Sequence, residues 1–266
     1  MVYYYSKVHF GISNAPKDKL MILLAPVLVH TIFDWILFTI SITPALPGKV
    51  VIPQLGTYEL VDGQVTITPE KPHLWSPEDP YLYNFAVETA QDRVESYFGM
   101  RKFSIVEHQG RKVLGLNNKP YFQHGLLDQG YWSDGLYTPP SDEAMIWDIQ
   151  TMKELGFNTI RKHIKVEPAR WYYHCDRLGI IVWQDMPCLA LYPNDTKGGW
   201  GRNNIGGGSD SPASKEEKSR YYKEWAEIMD ALRFFPSIGV WVPFNEAWGQ
   251  FDTETVADWT ATNDPT

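Results

Sequence analysis

The stretch FNTIRKHIKVEPARWYYHCDRLGIIVWQDM, from Phe157 to Met186, contains the pattern from which the rest of the chain can be interpreted. Two short apolar runs, FNTIRKH and IIVWQDM, flank an amphipathic segment that begins at Pro168 and ends at Gly179. Proline favours the first turn of a helix, and glycine favours the position just after its end. The stretch therefore predicts a strand, a helix and a second strand that lies parallel to the first.

The same alternation continues on both sides of this stretch. Before it, PYFQHGL predicts a short strand, and Ser141 is a candidate N-cap for a helix. After it, Ser214 and Glu217 form a capping box for a third helix, IGVWVPFNE predicts a fourth strand, and a fourth helix begins near Thr253. Such alternation predicts a parallel sheet covered by helices, either doubly wound or closed into a barrel. No Gly-x-Gly-x-x-Gly turn follows a strand, which weakens a dinucleotide-binding version.

Polar side chains follow each of the predicted strands. They are His124 and Asp128, Arg161 and His163, Gln184 and Asp185, and Asn245 and Glu246. In a barrel, active-site residues cluster where the strands end, so these side chains predict one shared site. Partial burial beside tryptophans would favour the protonated form of Glu246, which suits a general acid. A surface glutamate stabilised by a helix dipole is the alternative, and the pattern alone leaves both open.

The region from 50 to 116 predicts β structure. Its segment TYELVDGQVTIT has two alternating runs joined by Asp62-Gly63, which favours a type I′ hairpin turn. Short strands at close spacing predict a β-sandwich.

The apolar segment from Leu20 to Ile42 admits three interpretations: buried strands of a β domain, a membrane anchor, or sequence foreign to the domain. The anchor is disfavoured but still open, because Asp34 near the middle of a span would cost about 3 kcal/mol.

The charge, the cysteine count and the spacing of possible ligands argue against several classes of partner and cofactor. A net charge of −8 without a Lys/Arg run argues against a phosphate-binding surface, so we expect no nucleic acid partner. The two cysteines have neither a disulfide nor a zinc pattern, and His163, His174 and Asp176 lack metal-ligand spacing. The glycine-rich GGGSD lacks the Gly-Lys-Ser/Thr of a phosphate loop. We therefore predict no metal and no cofactor.

Six motifs carry a resemblance to a known family: WSPEDPYLY, GMRKFSI, LNNKPYFQHG, DIQTMKELGFNTIRKHI, WYYHCDRLGIIVWQDMP and WVPFNEAWGQ. Together, from about Lys71 to Gln250, they resemble glycoside hydrolase family two, which includes β-galactosidases, β-mannosidases and β-glucuronidases. The resemblance implies a multidomain β plus α/β chain, in which an immunoglobulin-like β-sandwich precedes the first half of a TIM (β/α)8 barrel. We expect an unassigned segment over 1–45, the sandwich over 46–116 and the half-barrel over 117–266.

The resemblance also implies a retaining mechanism on a β-glycoside substrate, with roles for particular residues. Glu246 would be the general acid/base, Asn245 would hold the 2-hydroxyl of the sugar, and Arg161 would steady the nucleophile. The remaining pocket residues would be Asp185, His163 and Trp248. The family's nucleophile is a later glutamate, for which Glu254 is a poor substitute.

We therefore expect the chain to be an internal piece of a longer enzyme that is inactive in isolation. Its last strand would leave an open sheet edge, which predicts poor solubility or self-association. The alternative function is a non-catalytic, carbohydrate-binding or degenerate fragment of the same scaffold.

Overall fold

The computed structural model describes residues 2–6, 23–24, 27–32, 35–187, 213–245 and 249–264, with side-chain burial from Phe38 onward. The chain divides into two compact units. The first contains Met1–Phe122 together with Leu232–Pro236, and the second contains Gln123–Ala231 and Ser237–Asp264. The first unit is built from strands, and the second alternates strands with helices.

The strands of the first unit form three antiparallel sheets. They are β1 (Val2–Ser6), β2 (Leu23–Leu24), β3 (Val27–Ile32), β4 (Trp35–Thr43), β5 (Gly48–Ile52), β6 (Gly56–Leu60), β7 (Gln64–Ile67), β8 (Tyr83–Thr89), β9 (Arg93–Phe98), β10 (Phe103–His108), β11 (Arg111–Leu116) and β12 (Lys119–Pro120). One sheet has the order β1-β3-β4-β2 with β7 paired to β4, another the order β6-β5-β8-β9, and the third the order β10-β11-β12.

The core of the first unit lies between its two larger sheets. Phe38, Ile40 and Ile42 alternate along β4 and are all buried, as period-two burial of one strand face requires. The ring of Phe38 lies 4.5 Å from that of Phe98 in β9, so the two sheets meet through aromatic contact. Two antiparallel sheets packed face to face form a β-sandwich.

The apolar segment from Leu20 to Ile42 contributes β2, β3 and most of β4, in agreement with the first of its three interpretations. Within the described ranges, the structure contains no helix with the length and hydropathy needed to span a membrane.

The predicted hairpin at Asp62-Gly63 is right at the turn and wrong beyond it. Asp62 and Gly63 both have positive φ, at 51° and 72°, as a type I′ turn requires. Val61 and Gln64 then form a single antiparallel bridge. Beyond that bridge the strands separate, because β6 pairs with β5 in one sheet and β7 with β4 in the other. The turn therefore leads the chain from one sheet of the sandwich to the other.

The second unit contains the predicted alternation of strands and helices. Its elements are β13 (Gly125–Asp128), α1 (Asp142–Glu154), β14 (Thr159–Lys162), α2 (Ala169–Leu178), β15 (Ile181–Asp185), α3 (Lys215–Leu232), β16 (Ile238–Val242) and α4 (Thr253–Asn263). The four strands are parallel and lie in the order of the sequence, β13-β14-β15-β16. A doubly wound sheet reverses its strand order, so consecutive winding favours the barrel of the two predicted alternatives.

The helix termini follow the local signals in the sequence. The Ser141 side chain accepts a hydrogen bond from the Ala144 amide at 3.2 Å, which confirms the N-cap of α1. Ser214 and Glu217 exchange the two reciprocal bonds of a capping box, at 2.7 and 3.2 Å. Gly179 ends α2 with a left-handed φ of 74°.

The first parallel strand lies further along the chain than the sequence predicted. The motif PYFQHGL divides, because Pro120 belongs to β12 and pairs with β11, whereas β13 begins only at Gly125. His124 therefore precedes the strand, and its backbone amide donates to the Asn158 side chain at 2.8 Å, just before β14. The placement of His124 at a strand end was wrong, and it lies at the amino edge of the sheet.

Candidate functional site

The carboxyl ends of the parallel strands bring together four of the predicted site residues. Arg161 is in β14, and His163 follows that strand directly. Asp185 is the last residue of β15, and Asn245 comes three residues after β16. Because these strands are parallel neighbours, their carboxyl ends meet at one edge of the sheet.

Asp185 is the centre of this group. Its Oδ1 accepts from Nε of Arg161 at 2.9 Å, and its Oδ2 accepts from Nη2 at 3.1 Å. Oδ2 also accepts from His163 Nδ1 at 2.5 Å and from the Ile164 amide at 3.3 Å. The carboxyl side chain is only 1% exposed. A buried carboxylate is stable only when charge-assisted bonds compensate for its desolvation, and here the donors come from three residues.

Arg161 connects Asp185 to Asn245. Its Nη2 donates to Oδ1 of Asn245 at 3.1 Å in addition to its bond with the carboxylate. With the amide oxygen held by a cation, the NH2 group of Asn245 points away from Arg161 and can donate to another group. The side chain of Arg161 is 24% exposed, which makes it the most exposed side chain of this group. The arrangement presents hydrogen-bond donors in fixed directions at the strand ends.

His163 and Ile164 are held by the same carboxylate. A carboxylate at Nδ1 requires that nitrogen to carry the proton, so in the neutral ring Nε2 is the acceptor. Ile164 has a φ of 50°, a conformation that is rarely adopted by a β-branched residue. Its amide bond to Asp185 helps to hold this conformation, and such backbone strain is typical of functional sites.

A second cluster of charged side chains, which was not predicted from the sequence, lies beside the first. Lys162 Nζ donates to Asp128 Oδ2 at 2.5 Å and to Glu167 Oε1 at 2.9 Å. Lys165 Nζ lies 2.9 Å from the same Glu167 oxygen and donates to the Gly130 carbonyl at 2.5 Å. The side chains of Lys162, Lys165 and Glu167 are 1%, 2% and 2% exposed. We call Asp128, Lys162, Lys165 and Glu167 the lysine network.

Strand alternation explains why the two clusters are separate. Successive residues of a strand point to opposite faces, so Lys162 points away from the face of Arg161. It points toward α2, where its Nζ lies 4.3 Å from the centre of the Trp171 ring. A lysine directly after an arginine at the end of an apolar strand was the signal available in the sequence. Asp128, which was predicted to share the site, instead binds Lys162.

Gln184 connects the two clusters and is fully buried. Its Nε2 donates to the carbonyls of Lys165 and Asp185, both at 2.8 Å, and its Oε1 accepts from Tyr172 at 2.6 Å. Burial raises the pKa of Tyr172 well above its usual value, which keeps the phenol protonated as a donor. Gln184 therefore holds the backbone that carries Asp185.

Asp148 on α1 lies close enough to the lysine network to be affected by its charges. Burial is the main cause that raises the pKa of its carboxyl, and the charge of Asp128 adds to the effect. A raised folded-state pKa stabilises the fold while the carboxyl is protonated, and that contribution is lost as pH rises through the folded-state pKa. We therefore expect Asp148→Asn to increase the free energy of unfolding at pH 7, with a gain that disappears below about pH 4.

Urea denaturation at several pH values would measure this gain. The exposed Asp258 on α4 provides the control, because Asp258→Asn should leave the stability unchanged. A loss of stability in Asp148→Asn at pH 7 would contradict the prediction.

Two of the predicted site residues, Glu246 and Trp248, lie outside the described residues. Arg161, His163, Asp185 and Asn245 come together as described above. Within the part of the chain that the structure describes, no group of three or more His, Cys, Asp or Glu side chains is arranged to hold a metal ion.

The fold and the site define a chain of the barrel-enzyme class, in which polar residues meet at the carboxyl ends of parallel strands. Two family models match it: Glycosyl hydrolases family 2 over residues 43–101, and Glycosyl hydrolases family 2, TIM barrel domain, over 109–266. The chain belongs to glycosyl hydrolases family 2. The prediction of an immunoglobulin-like β-sandwich followed by the first part of a TIM barrel is thereby confirmed.

Two β-galactosidases that are similar in sequence support this assignment. The chain is 37% identical over 144 residues to a β-galactosidase of Leuconostoc mesenteroides, a match that covers 51% of this chain and 13% of the relative. It is 29% identical over 236 residues to a β-galactosidase of Enterobacter cloacae, covering 83% of this chain and 20% of the relative. The chain therefore spans a fifth or less of the length of these two relatives.

A solved structure shows the same fold. The β-D-glucuronidase of Dictyoglomus thermophilum superposes with a TM-score of 0.73 at 18% identity, covering 90% of this chain and 42% of that one.

Proposed function

We propose that this chain contributes to the hydrolysis of O-glycosidic bonds in β-glycosides by a retaining double displacement, with Glu246 as general acid/base. One observation carries the proposal. Asn245, the residue directly before Glu246, is oriented by Arg161, which is itself paired with the buried Asp185. A carbohydrate is a dense array of hydroxyls, and a fixed array of donors is suited to recognising one.

On this proposal each residue has a particular role. In a retaining mechanism, one carboxylic acid protonates the leaving oxygen while a second carboxylate, about 5 Å away, attacks the anomeric carbon. Water then releases the sugar, with the first residue acting as base. Glu246 would be the first carboxyl, and the Asn245 amide would donate to the 2-hydroxyl. Arg161 and Asp185 hold Asn245 in place. On this proposal His163 and Trp248 would line the pocket.

We further propose that the nucleophile is supplied by sequence that the longer relatives carry and these 266 residues do not. Glu254 is in the first turn of α4, and we assign it no catalytic role. On this proposal the chain by itself binds β-glycosides without hydrolysing them. Turnover of 4-nitrophenyl β-D-galactopyranoside that is lost in Glu246→Ala would contradict the inactivity and support the acid/base role.

Ligand-observed NMR titration of the full chain tests the binding. Two probes would be used, methyl β-D-galactopyranoside and methyl β-D-glucuronide, with the α-anomer of each as control. We expect the β-anomers to bind. Asp185→Asn should lower their affinity about tenfold, because hydrogen bonds to a charged group contribute about 1.5–3 kcal/mol.

The exposed Glu224 on α3 provides a matched charge control, since Glu224→Gln should bind like the unmodified chain. If Asp185→Asn and Glu224→Gln bind the probes equally well, then Asp185 and the residues that it holds do not contribute to substrate recognition. Binding without hydrolysis, even when the rest of a relative's barrel is supplied, would favour the carbohydrate-binding alternative.

A further inference from the structure

We propose that Tyr131 and Tyr137, in the loop between β13 and α1, form a surface on which a pyranose ring of the substrate stacks. The inference rests on the proposed action on β-glycosides and adds a binding subsite to it. We call these two residues the tyrosine pair.

The tyrosine pair is exposed although its rings contact each other. Tyr131 is 61% exposed and Tyr137 is 49% exposed. Their ring centroids lie 5.7 Å apart with an interplanar angle of 68°, so the rings form a corner. A pyranose has an apolar C–H face with hydroxyls around its rim. An aromatic face matches the first and a phenol hydroxyl the second, so such a corner suits a sugar.

The position of the loop places the tyrosine pair on the same sheet edge as the site. The loop begins directly after Asp128, whose carbonyl accepts from the His163 amide at 2.9 Å. In the sheet, Leu127 is the register partner of Arg161. The loop therefore leaves the carboxyl end of the strand next to the one that carries the site arginine. Active sites of barrels are built from the loops at this edge.

The lysine network fixes the loop. Lys165 Nζ donates to the Gly130 carbonyl and lies 4.7 Å from the centre of the Tyr137 ring. One face of that ring is therefore covered by a cation, which supports it and leaves the more exposed Tyr131 as the main stacking ring. Asp128 Oδ1 accepts from the Gly130 amide at 2.7 Å. The amide and the carbonyl of Gly130 are thus both bound by side chains of the lysine network.

The segment between the two tyrosines forms a tight turn that is closed by backbone hydrogen bonds. Trp132 and Leu136 exchange two backbone hydrogen bonds, at 2.7 and 2.9 Å. Leu136 adopts a φ of 52°, a strained conformation for leucine that persists only where the surroundings impose it. Rings held in place before binding lose little conformational entropy when a ligand arrives, so the geometry favours recognition.

Two other exposed aromatic side chains of this unit provide controls. Trp147 on α1 is 66% exposed and Tyr173 on α2 is 40% exposed. Both are on helices that cover the sheet and not on loops at its carboxyl edge. Exposure alone therefore does not distinguish the tyrosine pair, whereas position and fixation do.

The test is the same NMR titration of the full chain with methyl β-D-galactopyranoside and methyl β-D-glucuronide. Tyr131→Ala removes the apolar ring face on which the sugar would lie, so it should weaken binding about tenfold. Tyr131→Phe keeps the ring and loses the hydroxyl, so its affinity should lie between those of the unmodified chain and Tyr131→Ala. Tyr131→Trp enlarges the ring and should bind more tightly. Trp147→Ala and Tyr173→Ala should bind like the unmodified chain.

The outcomes separate this inference from the proposed function. If Asp185→Asn weakens binding and the Tyr131 variants do not, the tyrosine pair is not a subsite and the proposed function stands. If the unmodified chain binds neither probe, both fail. If Tyr131→Ala does not fold, Tyr131→Phe and Tyr131→Trp provide the test, because both keep an aromatic ring. If the affinity is then the same for Phe, Tyr and Trp at this position, the inference is wrong.

Discussion

Replacing Glu167 with glutamine is expected to lower the free energy of unfolding of the second unit by about 3–5 kcal/mol, the usual cost of breaking a buried ion pair on one side. Oε1 of Glu167 lies 2.9 Å from both Lys162 Nζ and Lys165 Nζ. Both ammonium groups are almost fully buried. Glutamine keeps the shape and removes the charge, so two buried cations would be left with Asp128 as their remaining carboxylate in the network.

Urea denaturation followed by tryptophan fluorescence would measure this loss. Glu227 provides the matched control, because it forms an exposed pair with Lys223 at 4.0 Å, and Glu227→Gln should change the stability by less than about 0.5 kcal/mol. Adding Lys165→Met to Glu167→Gln removes one unpaired cation and should recover part of the loss. Equal stability of Glu167→Gln and Glu227→Gln would show that the lysine network does not need its central charge.

Gly130→Ala is expected to be as damaging, for a steric reason. Gly130 has a φ of +62°, and a Cβ added there would lie 2.2 Å from Glu167 Oε1 and 2.9 Å from Lys165 Nζ. The left-handed conformation costs a residue with a side chain about 1–2 kcal/mol. The clash adds to this cost, because relieving it would pull apart the buried ion pairs. We expect a total of at least about 3 kcal/mol, or failure of the unit to fold.

Gly156 provides the matched control for the backbone term. It has a φ of +91°, but a Cβ added there would meet no atom within 4 Å. Gly156→Ala should therefore show only the conformational cost, and the difference between the two variants measures the clash. Amide hydrogen exchange of the loop after β13 should also increase in Gly130→Ala alone. If Gly130→Ala is no less stable than Gly156→Ala, the close approach of Glu167 is not a constraint.

Local signals in the sequence were sufficient for the helices and for one turn. Ser141 caps α1, Gly179 ends α2, and Asp62-Gly63 forms the predicted turn. Each of these depends on groups within a few residues of one another, so the pattern that predicts them contains most of their physics. The alternation of strands and helices also predicted the parallel sheet. The consecutive strand order, which favours a barrel over a doubly wound sheet, became known only from the structure.

Longer-range choices were not predictable in this way. The strands that flank Asp62-Gly63 belong to different sheets, because each pairs with a partner elsewhere in the chain. His124 was placed at the wrong edge because the start of β13 depends on the pairing of Pro120 with β11. The roles of Lys162, Lys165 and Glu167 were missed, since charged residues near a strand end usually face solvent.

For the candidate site too, some features were predicted from the sequence and others became known only from the structure. Amino-acid order alone identified Arg161, His163, Asp185 and Asn245 as polar residues after apolar strands, and motif resemblance gave them their expected roles. That Asp185 binds Arg161 from 24 positions away, and that Arg161 binds Asn245 from 84 positions away, required the folded chain. Propensity and capping act over one or two turns, whereas hydrogen bonds between strand ends exist only after the sheet has formed.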